Sequence, residues 1–261
     1  MSSPTLAGKS FGEQVRRRFG GQAPSYNQHA LLQQAIAWRL AHHCRRLQIP
    51  QGARADLGAG TGLVGQAMAA QGISDPYSPL LQIDLCPELL ARNPLATPPN
   101  HLIWDLNNGL PPQLPQAALL TSSFALQWLE DPRSQLDHWC GRLQPAGWLA
   151  LAVPTAGSFP EWRQAADQAG VACTALELPA AEGLIQAAAN HLELKTCQQL
   201  WLGRRHGSGS QFLSQLQQLG ASASRQPGLG AEAMRRLLRH WPRDGTIHWQ
   251  VLLLLGQRKE Q

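Results

Sequence analysis

Asp56-Leu57-Gly58-Ala59-Gly60-Thr61-Gly62, followed by Val64 and an Ala-rich stretch to Ala70, reads as the end of a strand, a glycine turn and the start of a helix. Gly58, Gly60 and Gly62 permit positive φ and let the backbone approach a ligand closely. The helix that follows turns its free N–H groups and positive dipole end toward the same point. This is the construction of a nucleotide-cofactor loop. The dinucleotide fingerprint is G-x-G-x-x-G/A and a P-loop needs a lysine, whereas this loop is D-x-G-x-G-x-G with an acid at its head. An acid in that position repels phosphate and suits a cationic group.

Outward from the loop, Leu80-Leu81-Gln82-Ile83-Asp84 reads as a second strand whose closing acid is placed to accept ribose hydroxyls. Asp84 lies somewhat farther from the loop than the usual separation, and the proline-containing stretch Ser74 to Pro79 accounts for the excess as a loop insertion. His101 to Leu106 reads as a third strand closing on Asp105, and Gln116 to Ser123 as a fourth. A helix follows over Asp131 to Leu143, with Leu136, Trp139 and Leu143 on one face. The turn Leu143 to Gly147 then separates it from a fifth strand, Gly147 to Val153. Leu192 to Leu202 and Ile247 to Gly256 are the sixth and seventh strands. Residues 10–47 form an N-terminal helical segment whose Leu31, Leu32, Ala35, Ile36 and Leu40 are expected to pack on the sheet. Alternating strands and helices predict an α/β doubly wound sheet in a single domain spanning 1–261. The connections 154–190 and 203–245 are long, and are expected to form helical lid insertions over the carboxyl ends of the strands, where the ligand crevice of such sheets lies.

Composition narrows the class further. With 261 residues, 43% hydrophobic and 15% charged, the chain can bury a sizeable core. No apolar run approaches the ~20 residues that span a bilayer, and the N-terminus lacks a secretion signal, so a soluble cytoplasmic protein without a membrane role is expected. Five scattered cysteines, without C-x-x-C or zinc spacing, predict neither a disulfide frame nor a metal site. The formal charge of +5 favours acidic partners, yet there is no RNA-recognition signature or strongly basic tail, and no nucleic acid is expected.

The acid-headed loop resembles that of the class I methyltransferases, which use S-adenosylmethionine. A closer resemblance covers nearly the whole chain. Val15 to Gly20, Tyr26-Asn27-Gln28-His29-Ala30, Ser122 to Trp128, Gly157-Ser158-Phe159-Pro160-Glu161 and Leu216 to Ser222 are similar to segments of the malonyl-acyl carrier protein O-methyltransferases of biotin synthesis. Two departures stand out. His248-Trp249 occupies the place of the family's usual Thr-Tyr, and Ala59 that of a frequent Cys.

The resemblance implies a Rossmann-like sheet of seven strands with the last antiparallel, and S-adenosylmethionine as co-substrate without a metal. Asp56, Gly58, Gly60, Gly62, Asp84, Asp105, Leu106 and Ser122 would bind it, Asp84 at the ribose and Asp105 at the adenine amino group. Tyr26, Gln127 and Trp128 would form the transfer chamber, with Gln127 donating its amide to the malonyl group, and His29 is read as structural. The implied reaction methylates the free carboxylate of malonyl-acyl carrier protein, or malonyl-coenzyme A, at the start of pimeloyl formation. The acidic carrier would dock on Arg235, Arg236 and Arg239, or on Arg204 and Arg205, and a monomer is expected. Two other readings stay open: a methyltransferase of a small ring substrate such as a quinone precursor, which needs a base, and a non-catalytic S-adenosylmethionine-binding assembly factor.

Overall fold

The computed structural model describes residues 10–259. Seven strands form one sheet: β1 (Arg54–Leu57), β2 (Leu80–Asp84), β3 (His101–Ile103), β4 (Ala117–Ser123), β5 (Leu143–Pro154), β6 (Leu192–Arg205) and β7 (Thr246–Arg258). Their order is β3-β2-β1-β4-β5-β7-β6. The strands from β3 to β5 run parallel, and β7 enters antiparallel between β5 and β6. The expected doubly wound sheet with its antiparallel last strand is therefore present. Because the order reverses at β1 and β4, the loops leaving these two neighbours diverge and open a crevice at their carboxyl ends.

Side chains alternate along the central strands, and both faces are buried. Leu149, Leu151 and Val153 of β5 meet Leu252 and Leu254 of β7 on one face, over helices α6 (Pro132–Gly141) and α8 (Ala181–Ala189). Trp148, Ala150 and Ala152 meet Val251, Leu253 and Leu255 on the other, over α3 (Leu31–Cys44) and α4 (Leu63–Ala70). A sheet covered on both faces selects these near-continuous apolar runs. The N-terminal segment contributes two more helices, α1 (Phe11–Gln22) and the short α2 (Tyr26–His29), and α5 (Pro87–Leu90) follows β2.

Three expectations need correction. The stripe of α3 that meets the sheet is Ile36, Ala37, Leu40, Ala41 and Cys44, while Leu31 and Ala35 are exposed. The residues read as a turn at 143–147 lie inside β5: Leu143 already pairs with Ala117, and the register shifts before Trp148 meets Leu119. Gly147 is needed there because a Cβ would stand 2.8 Å from the carbonyl oxygen of Ala117. Finally, α8, within the 154–190 connection, lies in the sheet core through Leu184 and Ala188. The remaining helices, α7 (Pro160–Gln168), α9 (Gly209–Gln218) and α10 (Ala231–Arg239), build a separate apolar cluster over the carboxyl ends of the strands, around Phe159, Trp162, Phe212, Leu237 and Trp241.

Candidate functional site

At the end of β1 the chain turns through Gly58 and Gly60, with φ of 73° and 52°, and enters α4 from Gly62 at φ 81°. The N–H groups of Gly58 and Ala59 both donate to the carbonyl of Ile83, at 2.8 and 2.9 Å, and lash the turn to β2. A Cβ on Gly58 would overlap that of Ala125, and one on Gly62 would overlap the Asn93 amide. At Gly60 the nearest atoms to such a Cβ are 3.8 Å away, so the space in front of it is open. Gly58 and Gly60 line a cavity; Gly62 stands outside it and shapes the turn.

Three carboxyl groups line this cavity, those of Asp56, Asp84 and Asp105, and the first two are deeply buried. Asp84 accepts from the N–H of Gly60 and of Cys86, each at 2.7 Å. Asp56 is 1% exposed, and its Oδ1 accepts from the Thr121 hydroxyl at 2.8 Å while Oδ2 has no partner. Burial pushes Asp56 up to about 7; the Thr121 hydrogen bond opposes this and the Asp84 charge adds to it. Burial likewise pushes Asp84 up to about 6, against the hydrogen bonds it accepts from the backbone. Among the described residues neither carboxylate has an ion-pair partner. A buried carboxylate with an unmatched oxygen, as at Asp56, is costly unless a partner completes it.

Asp105 holds its own 3₁₀ turn by accepting from the Asn107 N–H at 2.9 Å, and it lines the same cavity with Leu106 and Trp104. The roof is α1, through Gly12, Val15, Arg16 and Phe19. The sequence marks this helix only through the resemblance of Val15 to Gly20, and names no single cofactor-contact residue on it. Ser122 is fully buried and donates to the Leu57 carbonyl at 2.8 Å, stapling β4 to β1; its neighbour Ser123 is the serine that lines the cavity.

Tyr26, Gln33, Phe124 and Trp128 line both this cavity and a second one beneath the C-terminal cluster. The first holds about 940 Å³ of empty space including its mouth, the second about 1510 Å³. Burial, and then the Asp84 charge, raise the Tyr26 phenol well above its ordinary value, so it remains an O–H donor at the junction. Trp128 is held by Phe19 edge-on at 5.3 Å. Gln127 faces only the second cavity, and its donor nitrogen is committed to the Phe124 carbonyl at 2.7 Å, leaving Oε1 without a partner. One of its two amide N–H donors is thus taken up by the backbone, and its oxygen is free to accept. Among the described residues, the second cavity is lined by no Asp, Glu, His, Lys or Cys, and Arg18 is its only cation.

Gly157 to Glu161 fastens the cap to β7. Gly157 and Ser158 bind Gln250, the Phe159 N–H donates to the His248 carbonyl at 2.7 Å, and Glu161 accepts from the His248 N–H at 3.1 Å and pairs with its ring. Of the two departures at the start of the last strand, Trp249 lines the second cavity and His248 is taken up by Glu161.

This topology and the acid-headed glycine turn define a class I Rossmann-like methyltransferase fold. Solved structures agree in fold. The cyclase SpnF aligns over 99% of this chain and 100% of its own at TM-score 0.60 and 15% identity. The N-methyltransferase NodS of Bradyrhizobium japonicum, solved with S-adenosylhomocysteine, aligns over 97% and 100% at TM-score 0.54 and 15% identity. No protein-family model matches the chain. By sequence it is 30% identical to the malonyl-acyl carrier protein O-methyltransferase of Erwinia billingiae, over 88% of this chain and 90% of that protein. It is 32% identical to the biotin biosynthesis bifunctional protein BioCD of Bordetella avium over 89% of this chain. The chain spans 49% of the Bordetella protein's length and 63% of that of a malonyl-acyl carrier protein O-methyltransferase from Alcanivorax borkumensis, also 32% identical, over 62% of this chain. The chain belongs to the malonyl-acyl carrier protein O-methyltransferase family.

Proposed function

We propose that the chain transfers the methyl group of S-adenosylmethionine to the free carboxylate of a malonyl group held as a thioester on an acyl carrier protein, as its relatives' names describe. S-adenosylmethionine, when bound, supplies an electrophilic sulfonium methyl. Asp56 would face its ammonium, Asp84 its ribose hydroxyls and Asp105 its adenine edge, while Gly58 and Gly60 let the backbone come close.

The observation that carries the reading is the absence of any base from the lining of the second cavity among the described residues. A carboxylate is ionised at neutral pH and needs no proton removed. Methylation of a ring carbon does need one, so the lining disfavours a quinone-type substrate. What a carboxylate requires is orientation and a dry chamber. Arg18 is the available cation, Tyr26 the neutral donor at the junction, and Phe124, Phe159, Trp128 and Trp249 the apolar walls. The cap would serve as the lid, and the molecule would act as a monomer without metal.

An acidic carrier would dock on exposed arginines. Arg236 is paired with Glu232 at 3.2 Å within α10, beside Arg235 and Arg239. Arg204 and Arg205 end β6, where Arg205 also donates to the Asp244 carbonyl at 3.0 Å. The test is an assay with methyl-labelled donor against malonyl-carrier protein, malonyl-coenzyme A and quinone precursors. Methyl ester formation on the malonyl thioesters is expected. Transfer to a ring alone would overturn the reading, as would binding without turnover.

A further inference from the structure

A third, groove-like cavity lies between the α2–α3 corner, the end of β6 and α9, lined among others by His29, Leu202, Arg204 and His206. It shares Gln33, Leu216, Leu219 and Trp249 with the second cavity, so the two spaces meet at these side chains. No acidic residue lines it among the described residues.

His206 is the informative member. It is 6% exposed, its ring stands edge-on to Phe212 at 5.0 Å, and neither ring nitrogen has a hydrogen-bond partner. Its backbone is fixed by donation to the Gly245 carbonyl at 2.8 Å. A buried imidazole with both nitrogens unmatched loses free energy that a ligand can restore. Burial lowers its pKa most, the Gln215 amide beside it opposes this, and the nearby Arg204 charge adds to the lowering. The ring is therefore neutral near pH 7 and offers one N–H donor and one acceptor nitrogen, the complement of an amide group. The Arg204 side chain is exposed and makes no hydrogen bond or ion pair among the described residues. Apart from the Gln33 and Gln215 amides and the backbone at Gly203, the rest of the groove is aliphatic or aromatic.

We propose that this groove admits the phosphopantetheine arm of a thioester substrate, with Arg204 and His29 at the rim taking the phosphate and His206 matching an amide of the arm. The arm alternates amides with short aliphatic links and ends in a phosphodiester, and the groove offers polar side chains, apolar side chains and the Arg204 cation to match them. A carrier protein is too large to enter the second cavity and must deliver its acyl group through such a passage. The inference rests on the thioester reading of that cavity.

Calorimetric titration of the full chain with 4′-phosphopantetheine and with unphosphorylated pantetheine tests it, using wild type, Arg204→Ser and His206→Phe. Arg204→Ser is expected to weaken 4′-phosphopantetheine at least fivefold and pantetheine much less; His206→Phe, which keeps the ring volume, should weaken both. Absence of wild-type binding, or variants that bind as wild type does, overturns the proposal. In turnover, the Arg204→Ser loss in kcat/KM should be shared by malonyl-carrier protein and malonyl-coenzyme A, relative to malonyl-N-acetylcysteamine, which lacks the phosphate. A loss confined to the carrier substrate overturns the arm in favour of a protein dock at Arg204. If wild type methylates none of these thioesters, the thioester reading fails, while the two titrations still decide whether the groove takes the arm.

Discussion

The cofactor cleft and the C-terminal cap solve opposite problems. In the cleft, backbone N–H groups, two left-handed glycines and two carboxyl groups at adjacent strand tips make a polar cradle from short stretches of chain. In the cap, Phe159, Trp162, Phe212, Trp241 and Trp249 come from four separate segments and interlock with ring centroids 4.4–6.1 Å apart. The first arrangement depends on residues that can be replaced by almost nothing else. The second depends on volume and can be built from many aromatic combinations. Substitutions in the cleft should therefore change cofactor affinity, and those in the cap should change handling of the methyl acceptor.

The largest effect is expected at Gly60. Its φ of 52° disfavours a β-branched residue, and the open space before it is the cleft itself. Gly60→Val should reduce S-adenosylhomocysteine affinity about a hundredfold or more, roughly 3 kcal/mol of strain and lost space. A normal thermal transition with loss of the calorimetric binding signal is the outcome that fits; retained affinity would break the contrast. Asp84→Asn should come next, weakening binding about ten- to hundredfold as the charge-assisted acceptance from ribose is lost.

Both buried carboxyl groups also make the cleft pH-dependent. Their folded pKa values, about 7 for Asp56 and about 6 for Asp84, lie above those of an unfolded chain. The folded state thus holds more protons, and this contribution to stability is present at acid pH and lost as pH rises toward 7. Ligand binding runs the other way, because the ammonium and hydroxyls engage the ionised forms. S-adenosylhomocysteine affinity should climb about tenfold between pH 5 and 8, one pKa unit of linkage being about 1.4 kcal/mol. Asp56→Asn should flatten both the affinity profile and the fall in ligand-free melting temperature; an unchanged slope would show that Asp56 does not titrate in this range.

The same contrast explains what could be read from sequence. Asp56, Asp84 and Asp105 were legible because an acid closing a strand before a glycine turn or loop has a fixed geometric meaning. Ser122, expected in the cleft, lies in the core instead: alternate residues of a strand face opposite sides, so a shift of one position moves the hydroxyl out of the cavity, and Ser123 lines the cleft. Gly62 obeys a turn rule that looks identical in sequence to a ligand-contact rule. On α3, Leu31 and Ala35 are as apolar as the buried Ile36 and Leu40, and only the tertiary contacts reveal which side meets the sheet. The cap left few signals of its own, since tryptophans scattered from 162 to 249 carry no spacing that says they meet.

Trp249 sharpens the division, because it touches both regions: it stands 4.4 Å from Phe159 of the cap and 5.9 Å from Phe124 beside the glycine turn. Trp249→Ala should raise the KM for malonyl thioesters about five- to tenfold by wetting and loosening the second cavity, while S-adenosylhomocysteine affinity changes by about twofold or less. Equal effects on both ligands would mean that the cleft and the cap are not separable.

The smallest effect belongs to the cap's outer surface. Arg235 and Arg236 are exposed on α10, and Arg236 already has a partner in Glu232. Exposed charges of this kind act mainly through the long-range field that guides an acidic protein into contact, and salt screens them. Replacing both with Glu should raise the KM for malonyl-carrier protein about three- to fivefold at low salt, with little change for malonyl-coenzyme A, and the difference should shrink at high ionic strength. Parallel changes for the two substrates would remove α10 as the dock and leave the Arg204 end of β6 as the basic surface that meets the carrier. A difference that persists in high salt would instead mean close, desolvated contacts at α10 rather than steering.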